Sequence, residues 1–260
     1  MKNIEDSAGF PDELLARRIE YLSGFMTAER YATLCRAVDM RTRYMTVCME
    51  NTFHPQNASA LVRNCEAFGV QELHAVEELC RFSPNVQIVR GTDKWIEIRK
   101  HPTTAELIGS LRGRGYRIVA TTPHLDDATP ETFDVAAGPF ALFFGTEHAG
   151  ISDEVKAGAD EFLRIPMCGM VESLNVSASA AILLYSLSTR VRAMDIPAGT
   201  GVVCTADAPA RAVWQLSRRD RDEVLYRWMQ QTVRDPAGVL SRFRGGVGMC
   251  RNAGRSVSLR

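Results

Sequence analysis

Three stretches of this chain set polar side chains among backbone-permissive residues, and each suggests a different piece of chemistry. In NASALVRN (57–64), Asn57 precedes Arg63 by six residues. An arginine is a permanent cation with a planar fork of donors, suited to a phosphate or to an oxygen that is becoming negative. Asn57 follows Pro55 closely and sits where the N-cap of a helix is expected. In FFGTEHAG (143–150), an apolar run leads straight into Gly145, then Glu147, His148 and Gly150. Strand ends of this kind bind ligands in open α/β sheets, and glycine there allows close backbone approach. His148 has the side chain of a general base, but no Asp partner is evident for it. In RIPMCGMVESLNVSASAAILLY (164–185), Pro166 and Gly169 shape a loop whose backbone N–H and C=O groups can read a ligand such as a purine edge. Ser173 and Asn175 follow at the start of a small, apolar helix, where the first N–H groups lack helical partners.

These residues need a frame. YMTVCME (44–50), ELHAVEE (72–78), WIEIRK (95–100), YRIVATT (116–122), FALFFG (140–145) and FLRIP (162–166) are predicted strands. WIEIRK alternates, as a strand with one wet face does, whereas FALFFG is continuously apolar and expected to be buried on both faces. Between them lie predicted helices: ASALVRNCEAFG (58–69), stopped by Gly69, then TTAELIGSLRGRG (103–115), ISDEVKAGA (151–159) and residues 174–193. Strands alternating with helices mean a parallel sheet covered on both sides. Pro11 opens an earlier helix through Leu22, and Thr27 caps another through Met40. IPAGTGVVCTADAPA (196–210) has the composition of a linker, and residues 211–233 have a helical pattern anchored by Trp214, Leu225 and Trp228. The expected organisation is a helical extension over 1–42, an α/β domain over 43–195, and a linker, C-terminal helix and basic tail over 196–260.

Composition narrows the classes. The chain has 260 residues, 45% hydrophobic and 24% charged, with a formal net charge of zero. No apolar run approaches the ~20 residues of a membrane span. The start, MKNIEDSAGFPDELLARR, lacks the apolar core of a signal peptide, so a cytoplasmic protein with no membrane partner is expected. The seven cysteines are scattered without a CxxC pair or zinc spacing, and Cys48 and Cys65 fall inside apolar patterns as small hydrophobes. No GxGxxG follows the first strand and no GxxxxGK[ST] occurs, so neither a standard dinucleotide site nor a P-loop is supported. Arginines group at 30, 36, 41 and 43 and again in 236–260, where no Asp or Glu occurs. Such basic surfaces suit a phosphate backbone.

The three stretches also occur in a recognisable order: N-x5-R, then G-x-E-x-x-G after an apolar strand, then I-P-M-x-G-M-V-x-S-L-N-V-S. This arrangement resembles the signature motifs of the SpoU branch of the SPOUT RNA methyltransferases. The resemblance runs from Arg30 to Arg192 and takes in RYATLCR (30–36), TVCME (46–50), GVQELHAVEE (69–78) and ATT (120–122). It implies an α/β fold: a mostly parallel sheet with helices on both faces, a C-terminal deep trefoil knot, and helical extensions at both termini. Ser177, Ala178, Ser179 and Ala180 are small enough to let the last helix pack through such a knot. It further implies a homodimer and transfer of a methyl group from S-adenosylmethionine to a ribose 2′-oxygen, with no metal. The short extensions favour tRNA, at the D-loop guanosine of position 18. The alternatives are an rRNA or another tRNA nucleotide, or a non-catalytic RNA-binding factor on the same fold; S-adenosylmethionine binding separates the last from the others.

By the same resemblance, Asn57, Arg63, Glu147, Ser173 and Asn175 take the catalytic positions. Thr121, Gly145, Ile165, Met167 and Leu174 take the cofactor-contacting ones, with Thr122 as the alternative to Thr121. Arg190 and Arg192 stand where relatives carry an arginine pair. A guanidinium keeps its proton, so Arg63 is expected to stabilise a developing alkoxide rather than to act as a base.

Overall fold

The computed structural model describes residues 4–123, 128–146, 149–194 and 213–244. Glu147, His148, the linker over 196–210 and residues 245–260 lie outside the described residues. The chain divides into two compact units, residues 1–34 with 222–260, and residues 35–221.

Along the chain, α1 (Asp12–Ser23) begins after Pro11, and α2 (Ala28–Asp39) begins after Thr27, whose hydroxyl accepts the Arg30 N–H at 3.2 Å. Next come β1 (Met45–Glu50), α3 (Pro55–Ala67), β2 (Glu72–Val76), the one-turn α4 (Val86–Val89) and β3 (Glu97–His101). Then follow α5 (Thr104–Gly113), β4 (Arg117–Thr121), β5 (Phe140–Phe144), α6 (Asp153–Gly158), β6 (Glu161–Leu163) and α7 (Val176–Arg192). The last described helices are α8 (Arg218–Thr232) and α9 (Pro236–Leu240).

The sheet has six strands in the order β3-β2-β1-β5-β4-β6, and every pairing between them is parallel. Alternation along β1 assigns its side chains to two cores. Met45, Val47 and Met49 join Leu61 and Val62 of α3 and Leu183, Leu184 and Leu187 of α7. Cys48 joins Leu107 and Leu111 of α5, Val155 of α6, and Ala141 and Phe143 of β5. Every residue of β5 is buried, as its continuous apolar run requires, while the edge strand β3 keeps a wet face. Burial pushes the Cys48 and Cys65 thiols upward, which suits inert packing groups.

Several boundaries differ from the expected ones. The helix predicted over 58–69 begins at Pro55, because proline pre-sets φ for the first helical position. Asn57 is therefore not the N-cap; His54 is, and the Asn57 N–H already donates to the His54 carbonyl at 3.0 Å. The helix ends as expected before Gly69, whose φ of 76° is left-handed. The helical pattern over 211–233 starts only at Arg218, where Ser217 accepts the Asp220 N–H at 3.1 Å and caps the first turn. Pro236–Leu240, expected as part of a basic tail, is instead a short helix capped by Asp235, with Leu240 buried.

The first arginine group is also not one phosphate-binding surface. Arg41 is buried and bound to Glu66 at 3.0 Å. Arg43 lies at the N-terminal end of the sheet, in a cluster with Glu72 at 3.0 Å and Glu97 at 2.6 Å. Arg99 and Arg114 reach the same Glu72 at 2.9 and 2.7 Å. Burial alone would raise the Glu72 carboxyl; hydrogen bonds from His74 and Arg114 and the charges of Arg99 and Arg43 outweigh it and hold it well below the usual range.

In the terminal unit, Gln230 bridges to Glu5 twice, accepting from the Glu5 N–H at 2.7 Å and donating to its carbonyl at 3.0 Å. Tyr226 donates to the Glu5 carboxylate at 2.6 Å, and Arg18 donates to the Tyr226 oxygen at 3.2 Å. Leu15, Leu22 and Trp228 are buried in this unit.

Candidate functional site

A cavity of about 340 Å³ opens at the C-terminal ends of β4, β5 and β6 and at the start of α7. That volume lies within the range of small-molecule sites, and its place is where parallel sheets bind ligands. Thr121, Gly145, Ile165, Met167 and Leu174 all line it, as do Ser173 and Asn175. Thr122 lines it too, so both members of the Thr121/Thr122 alternative face the cavity. The Thr121 hydroxyl donates to the Phe143 carbonyl at 2.8 Å and the Thr122 N–H to the Leu163 carbonyl at 3.1 Å. These bonds hold the strand ends together and leave the threonines to shape the wall.

Each boundary of the cavity has a local cause. A Cβ on Gly145 would lie 2.0 Å from the Gly150 carbonyl carbon and 2.2 Å from the Ile151 nitrogen, so only glycine lets these two backbone segments meet. The meeting is closed by a reciprocal pair: the Thr146 N–H donates to the Gly150 carbonyl at 2.9 Å, and the Gly150 N–H returns to the Thr146 carbonyl at 3.1 Å. Glu147 belongs to the segment these bonds enclose and is itself outside the described residues. On the opposite wall, Asn175 is the N-cap of α7, its Oδ1 accepting from the Ser177 N–H at 2.8 Å and the Ser177 hydroxyl at 2.6 Å. Residues 165–174, which lead into that cap, make no backbone–backbone hydrogen bond among the described residues. Their donors and acceptors are left for solvent or a ligand, in a wall that also carries Leu163, Ile165, Met167 and Leu183.

Asn57 and Arg63 are placed differently. Both are on α3 and neither lines the cavity. Asn64, one residue on, donates to the Ser177 carbonyl at 2.9 Å and ties α3 to the start of α7. Successive helical residues are turned by about 100°, so Arg63 faces away from that contact. It is exposed, and its Nη1 donates to the Ile88 carbonyl of α4 at 3.2 Å. Arg190 and Arg192 have structural engagements: Arg190 donates to the Pro130 carbonyl at 2.6 Å and Arg192 to the Phe68 carbonyl at 2.6 Å.

Residues 44–185 match the model of the SpoU rRNA Methylase family. The chain belongs to that family. A tRNA (guanosine(18)-2′-O)-methyltransferase of Borreliella burgdorferi is 36% identical over 185 residues, covering 71% of this chain and 84% of the relative. The crystal structure of the A. aeolicus TrmH/SpoU tRNA modifying enzyme aligns with a TM-score of 0.63 at 27% identity, over 79% of this chain and 97% of that one. An AdoMet-bound rRNA methyltransferase of Sinorhizobium meliloti aligns with a TM-score of 0.51 at 26% identity, over 62% and 61% of the two chains. The SpoU-family match spans the sheet from β1 into α7, and so includes every strand end that forms the cavity.

Some residues at or near the cavity were not singled out in the sequence as site residues. Val176 and Leu183 line the cavity from α7, as does Ser179, named above only for its small size, and Ile151 lines it from the other side. Glu50 is a buried carboxylate at the end of β1. Its signal was an acidic residue closing an otherwise apolar strand.

Proposed function

We propose that this chain is an RNA 2′-O-methyltransferase that uses S-adenosylmethionine to methylate the ribose of a tRNA guanosine, that of position 18 in the D-loop. The observation that carries the reading is the coincidence of all the motif-derived cofactor positions on one cavity. Its walls fit the cofactor: apolar side chains for a flat purine and a methionyl chain, and loop backbone without a backbone partner among the described residues for the polar edges. When bound, S-adenosylmethionine would supply an electrophilic sulfonium methyl for the ribose 2′-oxygen. Ile165, Met167 and Leu174 exclude water on one side, and Gly145 lets the backbone form the other.

Arg63 acts from the RNA side. Its guanidinium stays protonated and stabilises the 2′-oxygen as charge develops there, while a phosphate oxygen or water takes the proton. The Ile88 carbonyl fixes one edge of the guanidinium, with Asn57 and Glu147 as further holders. Ser173 and Asn175 position the loop between cofactor and ribose.

The finer architecture follows the family. The C-terminal strands and α7 form a trefoil knot, residues 43–195 form the catalytic domain, and the terminal segments help to hold tRNA. The protein works in the cytoplasm as a homodimer; no helix among the described residues is long and apolar enough to cross a membrane. Exposed Met170, Val171, Ile182 and Tyr185, beside the cavity on the loop and on α7, support the dimer.

The experiment is single-turnover methyl transfer to a tRNA transcript and to one in which guanosine 18 is replaced, with 2′-O-methyl mapping of both. Methylation of the first alone is expected. Equal methylation of both moves the reaction to another nucleotide, and no methylation of either, together with no S-adenosylmethionine binding in calorimetry, removes the enzyme reading. Light scattering showing a monomer at micromolar concentration would exclude the dimer.

A further inference from the structure

Glu50 ends β1 one step beyond the Met49–Phe144 pair, level with the point where β5 gives way to Gly145. It is 2% exposed, and its carboxylate is held by neutral donors. Oε2 accepts the Ser152 N–H at 3.1 Å, and Oε1 accepts the Ser152 hydroxyl at 2.7 Å and the Thr104 hydroxyl at 2.8 Å. Among the described residues no Lys, Arg or His forms an ion pair with it. The chain leaves Glu50 through Asn51, whose φ of 44° is left-handed and unusual for a residue with a side chain. Burying a carboxylate without a cation is costly, and such devices persist where the surroundings over-determine them, often at functional sites.

What the carboxylate grips gives the reason. Ser152 follows Gly150 and Ile151, which line the cavity and against which Gly145 has no room for a Cβ. Gly150 in turn closes the segment containing Glu147 through its pair of hydrogen bonds with Thr146. Ser152 also caps α6, its hydroxyl accepting the Val155 N–H at 3.1 Å. Two contacts of one carboxylate therefore fix the downstream end of the cavity wall to the centre of the sheet. The third, to Thr104, reaches only the start of α5, which does not line the cavity.

We propose that Glu50 is a positioning residue for cofactor binding: through Ser152 it holds Gly150 and Ile151 in the cavity wall. The inference rests on the cavity being the S-adenosylmethionine site. It makes no use of the carboxylate's charge toward the cofactor, so it predicts equal losses for the cationic S-adenosylmethionine and for its neutral product, S-adenosylhomocysteine.

The test is calorimetric titration of both compounds, with thermal midpoints recorded alongside. Glu50→Gln keeps the shape but turns a donor toward Ser152; both affinities are expected to fall by the same factor, about tenfold or more, the loss that ~1.4 kcal/mol represents. Ser152→Ala is expected to do the same, and it decides the matter if Glu50→Gln does not fold. Thr104→Val removes a partner of the same carboxylate outside the cavity wall; it is expected to lower the thermal midpoint while keeping both affinities within about twofold of wild type. Unchanged affinities in Glu50→Gln, or in Ser152→Ala, overturn the proposal. So does a loss confined to S-adenosylmethionine, which would mean direct charge attraction, and so does an equal loss in Thr104→Val, which would mean general destabilisation. If the wild-type protein binds neither compound, the cofactor reading itself falls, and this inference with it.

Discussion

Where the strands of the sheet begin, Glu72 sits among Arg43, Arg99 and Arg114, and Glu97 also reaches Arg43. Where the strands end, the buried carboxylate is Glu50, which has only hydroxyl and amide donors, beside a loop whose backbone is left unpaired among the described residues. The two ends bury charge for opposite reasons. At the first, several cations offset the cost of desolvation and lock β1, β2 and β3 together. At the second, no cation pairs with Glu50 among the described residues, and the polar groups around the cavity remain for something else to bind. A parallel sheet presents all its strand ends on one side, so it can keep stability chemistry and ligand chemistry a full strand length apart.

The largest effect should come from breaking the first end. Glu72→Gln leaves Arg43 and Arg114 without their shared partner, and removing one side of a buried pair costs ~3–5 kcal/mol. Urea unfolding should show that loss, while the folded protein still binds S-adenosylmethionine as wild type does. Impaired binding in the folded variant would show that the two ends are coupled. The same carboxyl sets an acid limb. Its native pKa is depressed, so its contribution is fully present above the unfolded value and is lost as pH falls toward the native one. Wild-type stability should therefore drop below about pH 4.3, and the Glu72→Gln curve should be flatter there.

At the other end, Arg63→Ala should reduce turnover by about 10²–10³-fold, equivalent to ~2.7–4 kcal/mol, the loss seen for one oxyanion-stabilising donor. Cofactor affinity should stay near wild type, because Arg63 does not line the cavity. Arg63→Lys should recover little, since a point charge lacks the planar fork. Single-turnover methylation at near wild-type rate in Arg63→Ala would remove Arg63 from the chemistry. Gly145→Ala should act in the reverse sense. Its Cβ would fall 2.0 Å from the backbone of Gly150, so the cavity wall must move, and S-adenosylmethionine affinity should fall by about tenfold or more.

The sequence made one end far more legible than the other. β5 could be read because its apolar run is unbroken, and the candidate ligand stretches because glycine, proline and small polar residues cluster at strand ends and at the start of α7, whereas the individual cofactor positions came only from the resemblance to the SpoU branch. Period and punctuation carry that information locally. Asn57 was misplaced by three residues because the fixed φ of Pro55 outweighed the capping tendency of Asn. Arg41 and Arg43 looked like a phosphate surface because charge partners distant in sequence, Glu66, Glu72 and Glu97, cannot be seen from composition. Glu50 showed in the sequence only as an acidic residue closing a strand, and its role was hidden for the same reason. Its partners are 54 and 102 residues away; the pairing of β1 with β5 brings Ser152 to it, and the pairing of β1 through β2 with β3 brings Thr104.

The smallest effect tests whether the helix cap and the cofactor wall at Asn175 are one function or two. Asn175→Ala removes the acceptor of the Ser177 N–H and hydroxyl, and losing an N-cap costs ~1 kcal/mol. Thermal unfolding should show that loss, and calorimetry a similar one in cofactor affinity, because Asn175, Val176 and Ser179 all line the cavity. Asn175→Ser restores a cap with a shorter side chain and no amide. If the amide matters only by starting α7, Ser should recover both stability and affinity. If it also meets the ligand, as its place on the cavity wall indicates, Ser should recover stability alone, leaving affinity and methylation rate low. We expect the second outcome. Full recovery by Ser would reduce Asn175 to a cap and leave the polar work of that wall to Ser173 and the loop backbone.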